Sequence, residues 1–268
     1  MATNCDPIGL VVGAGGPTGG PFIDAALAVI EDRTGWNPAT ASEIVGTSAG
    51  AFVAARIKPV DNPPRPVELE AGVAKLRALS NIDKFAASPK TKFGRSLRLI
   101  GGRAFALLAP PDRERALYEV ASGPYHRGAS AVTIEHTWGA RRQHDLADNA
   151  DQVEQIVRAS AAIPYKNGPI KVGGVLHADG AVHSANNVDL LDPDQCPTIV
   201  VVSPMVPSSG GKVASRFHRA QLFEELRPWM SDGRAAVVIM PTEQEHARRR
   251  DRDAFERAGR EAATRLFG

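Results

Sequence analysis

Ile8-Gly9-Leu10-Val11-Val12-Gly13-Ala14-Gly15-Gly16-Pro17-Thr18-Gly19-Gly20 sets a short apolar run directly against a glycine cluster. The run reads as a buried strand. Pro21 suits a helix start, because the N–H it lacks is one the first turn leaves unbonded anyway. Phe22, Ala25, Ala26, Val29 and Ile30 then recur at helical spacing until Gly35, which stops the helix. Glu43-Ile44-Val45-Gly46 reads as a second short strand and Ala49 to Ile57 as a second helix. Strand, loop, helix and strand in that order pack as a parallel pair with its crossover. The expected fold class is therefore α/β, a three-layer sandwich with a mainly parallel central sheet and helices on both faces.

Beyond this unit, Pro59 to Pro66 marks a break, and residues 67 to about 131 read as mainly helical. From Asp151 the alternation returns, with a helix to about Ala161 and a strand over Ile170 to Val175. Thr198 to Val202 and Ala236 to Met240 are continuous apolar runs of buried-strand type. A single closing helix is expected over Thr242 to Phe267. The chain reads as one domain over 1–268, with 67–131 as a helical insertion or lid.

Composition bounds the function. Of 268 residues, 32 are Lys or Arg and 30 are Asp or Glu, a net charge of +2 that argues against a nucleic-acid binder held mainly by global charge and leaves local basic patches open. The apolar fraction of 43% is ample for a core and excludes wholesale disorder. Cys5 and Cys196 supply neither a disulfide framework nor a metal-ligand spacing. No apolar run reaches the roughly 18 residues that a membrane span requires, and no secretory leader is evident. A cytoplasmic protein, at most peripheral on a membrane, is the expectation.

Gly46-Thr47-Ser48-Ala49-Gly50 is a G-x-S-x-G between a strand and a helix. A nucleophilic serine needs a tight turn that lifts its hydroxyl clear of the backbone, and small neighbours permit it. The helix behind aims its first N–H groups at developing negative charge. Alone, the motif reads equally well as a glycine-rich turn with a capping serine. The 13–20 loop has three uses: an oxyanion hole, a dinucleotide phosphate cradle or a plain turn. A dinucleotide site wants an acidic residue closing the second strand. That strand ends in Ile44-Val45-Gly46, while Glu31 and Asp32 fall inside the helix. None of the seven histidines is placed as an obvious base. Asp179, in His177-Ala178-Asp179-Gly180-Ala181, is the carboxylate best placed to act directly on Ser48. Taken by itself it is an ordinary Asp-Gly turn.

These three segments together, in this order, resemble the patatin-like phospholipase family. The likeness extends to Ala159-Ser160-Ala161-Ala162-Ile163-Pro164 and to Val182 to Leu190, and covers roughly 8–57 and 150–205. It implies a serine acyl hydrolase with a Ser48–Asp179 dyad and an oxyanion loop over Ala14, Gly15, Gly16 and Gly19. The amides of Ala14, Gly15 and Gly16 would hold the oxyanion. The substrate implied is a lipid carboxylic ester: a phospholipid, lysophospholipid or glyceride. Neither metal nor cofactor is required. The first motif departs from the family pattern, with Ala14 where a glycine is usual and Thr18 in place of a basic residue.

From Lys84 to Pro111 there are six basic and no acidic residues, interleaved with Phe and Leu. That mixture suits peripheral contact with an anionic membrane. By itself it reads more plainly as a solvated cationic face over a core. Two alternatives stand beside the hydrolase reading. One is a Rossmann-like nucleotide-binding enzyme using the 13–20 loop. The other is a catalytically silent patatin-like lipid-binding protein.

Overall fold

A computed structural model of the chain describes residues 7–61, 66–85, 119–136, 139–164, 166–211, 213–231 and 233–268. In chain order these form β1 Ile8–Val12, α1 Gly19–Thr34, β2 Glu43–Thr47, α2 Ala49–Arg56 and α3 Pro66–Ala78. Next come β3 Ala129–Glu135, β4 Arg141–Asp145, α4 Val153–Ser160, β5 Ile170–Val172 and β6 Val175–Asp179. The chain closes with β7 Thr198–Val202, α5 Val213–Leu226, β8 Ala235–Ile239, α6 Glu243–Ala247 and α7 Arg252–Thr264. The basic and apolar stretch expected at a membrane lies, from Ala86 onward, outside the described residues.

Five strands run parallel in the order β3-β2-β1-β7-β8, and β4, β6 and β5 complete one mixed sheet by antiparallel pairing. Side chains of β1 alternate between two cores. Leu10 and Val12 pack with Phe22, Phe52, Leu76, Ile156 and Phe255 from helices on one face. Val11 packs with Val188, Leu222, Leu226 and Trp229 on the other. The three expected layers are therefore present.

Gly35 ends α1 in the left-handed region, at φ 77°, with its N–H on the Glu31 carbonyl. Elsewhere the expected elements need correction. The stretch to 131 taken as helical ends in β3, whose Ala-Ser-Ala-Val-Thr-Ile-Glu is too small and polar to read as a core strand, and β4 follows it. The strand expected over Ile170 to Val175 is a hairpin, because Gly173 and Gly174 both take positive φ and reverse the chain. The closing helix is two, because the Asp251 side chain accepts the Ala254 N–H and starts a new helix there. Helix α5 was not foreseen.

One feature of the sheet positions the site. Ser130 pairs with both Val45 of β2 and Asp145 of β4, while Ile134 pairs with both Arg141 of β4 and Ala178 of β6. Strand β4 thus occupies one edge of β3, and β2 and β6 share the other. They approach head-on. Thr47, the last residue of β2, lies opposite Val132, and Asp179, the last of β6, lies opposite Thr133.

Candidate active site

Ser48 follows Thr47 directly and adopts φ 55°, ψ −117°. A non-glycine residue there is strained and persists only if its surroundings hold it. The motif's glycines supply that hold through close approach. A methyl group on Gly50 would stand 1.8 Å from the Val12 carbonyl oxygen, and one on Gly46 would stand 2.7 Å from the Gly50 carbonyl oxygen. Only glycine lets α2 start this close to the end of β1.

The Ser48 hydroxyl donates to Asp179 Oδ2 at 2.9 Å, and both residues are buried. Oδ1 of Asp179 accepts the Ala181 N–H at 2.8 Å, the capping bond of the turn Gly180–Val182. Burial pushes the Asp179 carboxyl up to about 7, against the pull of the Ala181 N–H and the Ser48 hydroxyl. Gly180 lies under the β3 backbone, where a methyl group would meet the Val132 carbonyl oxygen at 2.4 Å.

Four further residues, not singled out one by one from the sequence, surround this pair, and two of them bond it directly. Ser160, at the end of α4, accepts the Ser48 N–H at 3.0 Å and donates to the Val132 carbonyl at 2.7 Å. Two residues on, the Ala162 carbonyl accepts the Asp179 N–H at 2.9 Å. The Ala159–Pro164 stretch therefore bonds both members of the pair, and its likeness to the family was the available signal. Asn187, at φ 57°, donates to Thr47 Oγ1 at 3.1 Å and to the Ser184 carbonyl at 2.8 Å. Arg141 donates to Asn187 Oδ1 at 3.2 Å and grips Asp189 through two bonds.

The glycine loop lies at the carboxyl ends of β1 and β7. The Gly13 N–H donates to the Val202 carbonyl at 2.9 Å and the Ala14 N–H to the Ala185 carbonyl at 2.7 Å. This corrects one expectation: the Ala14 amide is already engaged and is not a free oxyanion donor. Gly15 N–H meets no acceptor among the described residues. Gly16 takes φ 62°, and a methyl group on Gly15 would stand 2.5 Å from Gly19 Cα, so the loop folds tightly back on its own helix. The Thr18 hydroxyl, where a basic residue was noted as missing, donates to the Arg249 carbonyl.

Among the described residues the hydroxyl of Ser48 bonds Asp179 and no histidine is recorded on it. His144 and His177 both meet Thr133 Oγ1 at 2.8 Å. Burial, with His177 and Arg142 nearby, pulls His144 down to about 4, and burial also lowers His177.

A family model described as patatin-like phospholipase matches residues 10–192, most of the chain. The protein belongs to the patatin-like phospholipase family. Its fold is the patatin-like α/β sandwich, and the matched span includes the glycine loop, Ser48 and Asp179 while leaving β7 and β8 outside. The crystal structure of VipD from Legionella pneumophila is similar to this chain at 12% sequence identity and a TM-score of 0.42, covering 99% of this chain and 67% of that one. No curated protein matches it. Among the described residues no helix is long and apolar enough to cross a membrane.

Proposed function

We propose that this patatin-like protein is a serine acyl hydrolase that cleaves lipid carboxylic esters through Ser48 and Asp179. Ser48 Oγ attacks the ester carbonyl carbon while its proton passes to Asp179 Oδ2. With the Ala14 N–H engaged, the Gly15 and Gly16 N–H groups and one from the elbow at Ala49 would stabilise the oxyanion. The tetrahedral intermediate collapses by breaking the bond from the carbonyl carbon to the alcohol oxygen, and Asp179 returns its proton to the leaving alkoxide. Water then attacks the acyl-serine carbonyl as Asp179 takes its proton, and the acyl C–Oγ bond breaks as Asp179 returns that proton to Ser48 Oγ, freeing the carboxylic acid.

The observation that carries this reading is the 2.9 Å bond from Ser48 Oγ to a buried carboxylate with its proton affinity raised to about 7. A carboxylate at its ordinary value is a poor base for a serine hydroxyl, and burial improves it. The nucleotide reading loses support because the Gly13 and Ala14 amides are bonded within the protein rather than turned to a phosphate. The test is fluorophosphonate labelling with site mapping by mass spectrometry. Wild type should label at Ser48, and both Ser48→Ala and Asp179→Asn should lose labelling and short-chain ester turnover. Binding of lipid by a wild type that does not label would instead identify the silent lipid binder.

A further inference from the structure

Glu225, near the end of α5, is a buried carboxyl that the proposed chemistry does not use. Its oxygens accept from three donors. Oε2 accepts the Val188 N–H at 3.0 Å, and Oε1 accepts Gln221 Nε2 at 3.0 Å. The Ser184 hydroxyl supplies a third hydrogen bond. Gln221, also buried, donates to the His183 carbonyl at 2.8 Å from the same nitrogen. Glu225 and Gln221 thus hold the chain at His183, Ser184 and Val188.

That stretch reaches every part of the proposed site. It follows Asp179 after one turn, Gly180–Val182. The Ala185 carbonyl accepts the Ala14 N–H of the glycine loop at 2.7 Å, and a methyl group on Gly13 would stand 2.4 Å from Asn186 Oδ1. Asn187 donates to Thr47 Oγ1 at 3.1 Å, one residue before Ser48. Ser184 Oγ accepts the N–H groups of Asn186 and Asn187 at 3.1 and 3.0 Å, so the hold on Ser184 is passed to both. Arg141 of β4 grips the far end at Asp189. Glu225 is the inner anchor.

Stability does not account for a carboxylate here. Burial pushes Glu225 up to about 7, the charge of Asp189 adding to it, against the pull of Ser184, Val188 and Gln221. A carboxyl raised in the folded state stabilises fully below the ordinary value of 4.5, and that contribution is lost as pH rises through about 7. At pH 8 the ionised group costs stability, and a neutral side chain of the same shape should fold at least as well. What the charge supplies instead is a set of strong hydrogen bonds to one stretch of chain.

We propose that Glu225 is a positioning residue, its carboxylate fixing the 183–188 stretch that sets Ser48 through Thr47 and the glycine loop through Ala14. The inference rests on the hydrolase reading of Ser48 and Asp179. It adds to that reading a residue outside the matched family span, which ends at 192.

The experiment compares wild type, Glu225→Gln, Glu225→Leu and, one residue away on the same helix, Glu224→Gln, whose carboxylate bonds Arg227. Each is titrated with a fluorophosphonate, and hydrolysis of a soluble short-chain ester at pH 8 is expressed per labelled site. Glu225→Gln keeps the shape and one acceptor. It should lower kcat about tenfold and leave KM unchanged, because the reacting groups shift while the binding surface stays. Its thermal midpoint at pH 8 should be no lower than that of wild type. Glu225→Leu, which keeps neither acceptor, should lower kcat further; if it does not fold, the Gln variant decides alone. Glu224→Gln should match wild type. Unchanged kcat in Glu225→Gln, a loss carried by KM, or an equal loss in Glu224→Gln overturns the proposal. So does a kcat loss accompanied by a lowered midpoint, which would make Glu225 a structural residue. A wild type that neither labels at Ser48 nor turns over ester defeats the hydrolase reading and this role together. An active wild type beside an equally active Glu225→Gln defeats the role alone.

Discussion

Asp179 is held between two opposed requirements. As the proposed base it must be ionised, yet burial favours its neutral form and raises it to about 7. Turnover should therefore rise with pH through a limb near 7 and fall below it as Asp179 protonates. A kcat/KM profile for a soluble ester checks this; a limb near 4 would contradict it. Stability runs the other way. A carboxyl raised in the folded state is bound to its proton where the unfolded chain has already released it, so its contribution is lost as pH rises from about 4 to about 7. Asp179→Asn removes that loss while keeping an oxygen for the Ala181 N–H. It should abolish turnover yet stabilise the protein above pH 7, by up to about 4 kcal/mol. Near pH 4 the two proteins should unfold alike. Equal midpoints at pH 8, measured by thermal unfolding, would show that the carboxylate is better solvated than its burial indicates.

At the scale of elements, the strained Ser48 is kept in place by backbone proximity and by Ser160. Ser160→Ala leaves the buried Ser48 N–H and Val132 carbonyl without their partner. It should cost about 2 kcal/mol and lower kcat more than KM, because the proposed nucleophile and not the binding surface is displaced. Ser160→Thr, which restores a hydroxyl, should recover much of the kcat; failure to do so would reduce Ser160 to a packing residue. Gly50→Ala is the harsher test. Its methyl group, 1.8 Å from the Val12 carbonyl oxygen, requires α2 to move away from β1, with a loss of about 2 kcal/mol or more. These glycines were legible in the sequence because close approach leaves a local mark: only one residue type fits. Ser160 and Asn187 were not singled out, because their partners Val132 and Thr47 are far away along the chain. Strands β3 and β4 escaped for a related reason. Ser130, Thr133 and the charged residues of β4 are satisfied by pairing across the sheet, which no local apolar pattern announces.

For the whole molecule, the family match and the folded unit do not coincide. The match ends at residue 192, yet β1, the strand that presents the glycine loop, pairs with β7 along its entire length. Strand β8 continues the sheet, and its far side is closed by Asn81, whose amide bonds the Val238 N–H and carbonyl. Helix α7 is seated against α1, where Gly259 lies under the Phe22 carbonyl and Phe255 meets the Phe22 ring at 4.8 Å. The apolar runs of β7 and β8 made both strands legible in the sequence. Their position on the opposite side of β1 from β2 was not, since that depends on where the chain turns back after Asp179. A chain cut after Asp192 would expose the edge of β1, lose the Gly13 N–H bond to Val202, and uncover both cores around a strand that is buried at every position. Unpaired backbone of a buried strand is costly to leave exposed and invites pairing with other chains. The truncated protein should therefore aggregate or lack a cooperative thermal transition, and should not label at Ser48 even though every residue of the proposed site is present. A truncation that unfolds cooperatively and labels at the wild-type rate would show that residues 10–192 hold the site unaided, and would make β7, β8 and α7 an addition to the catalytic fold rather than part of it.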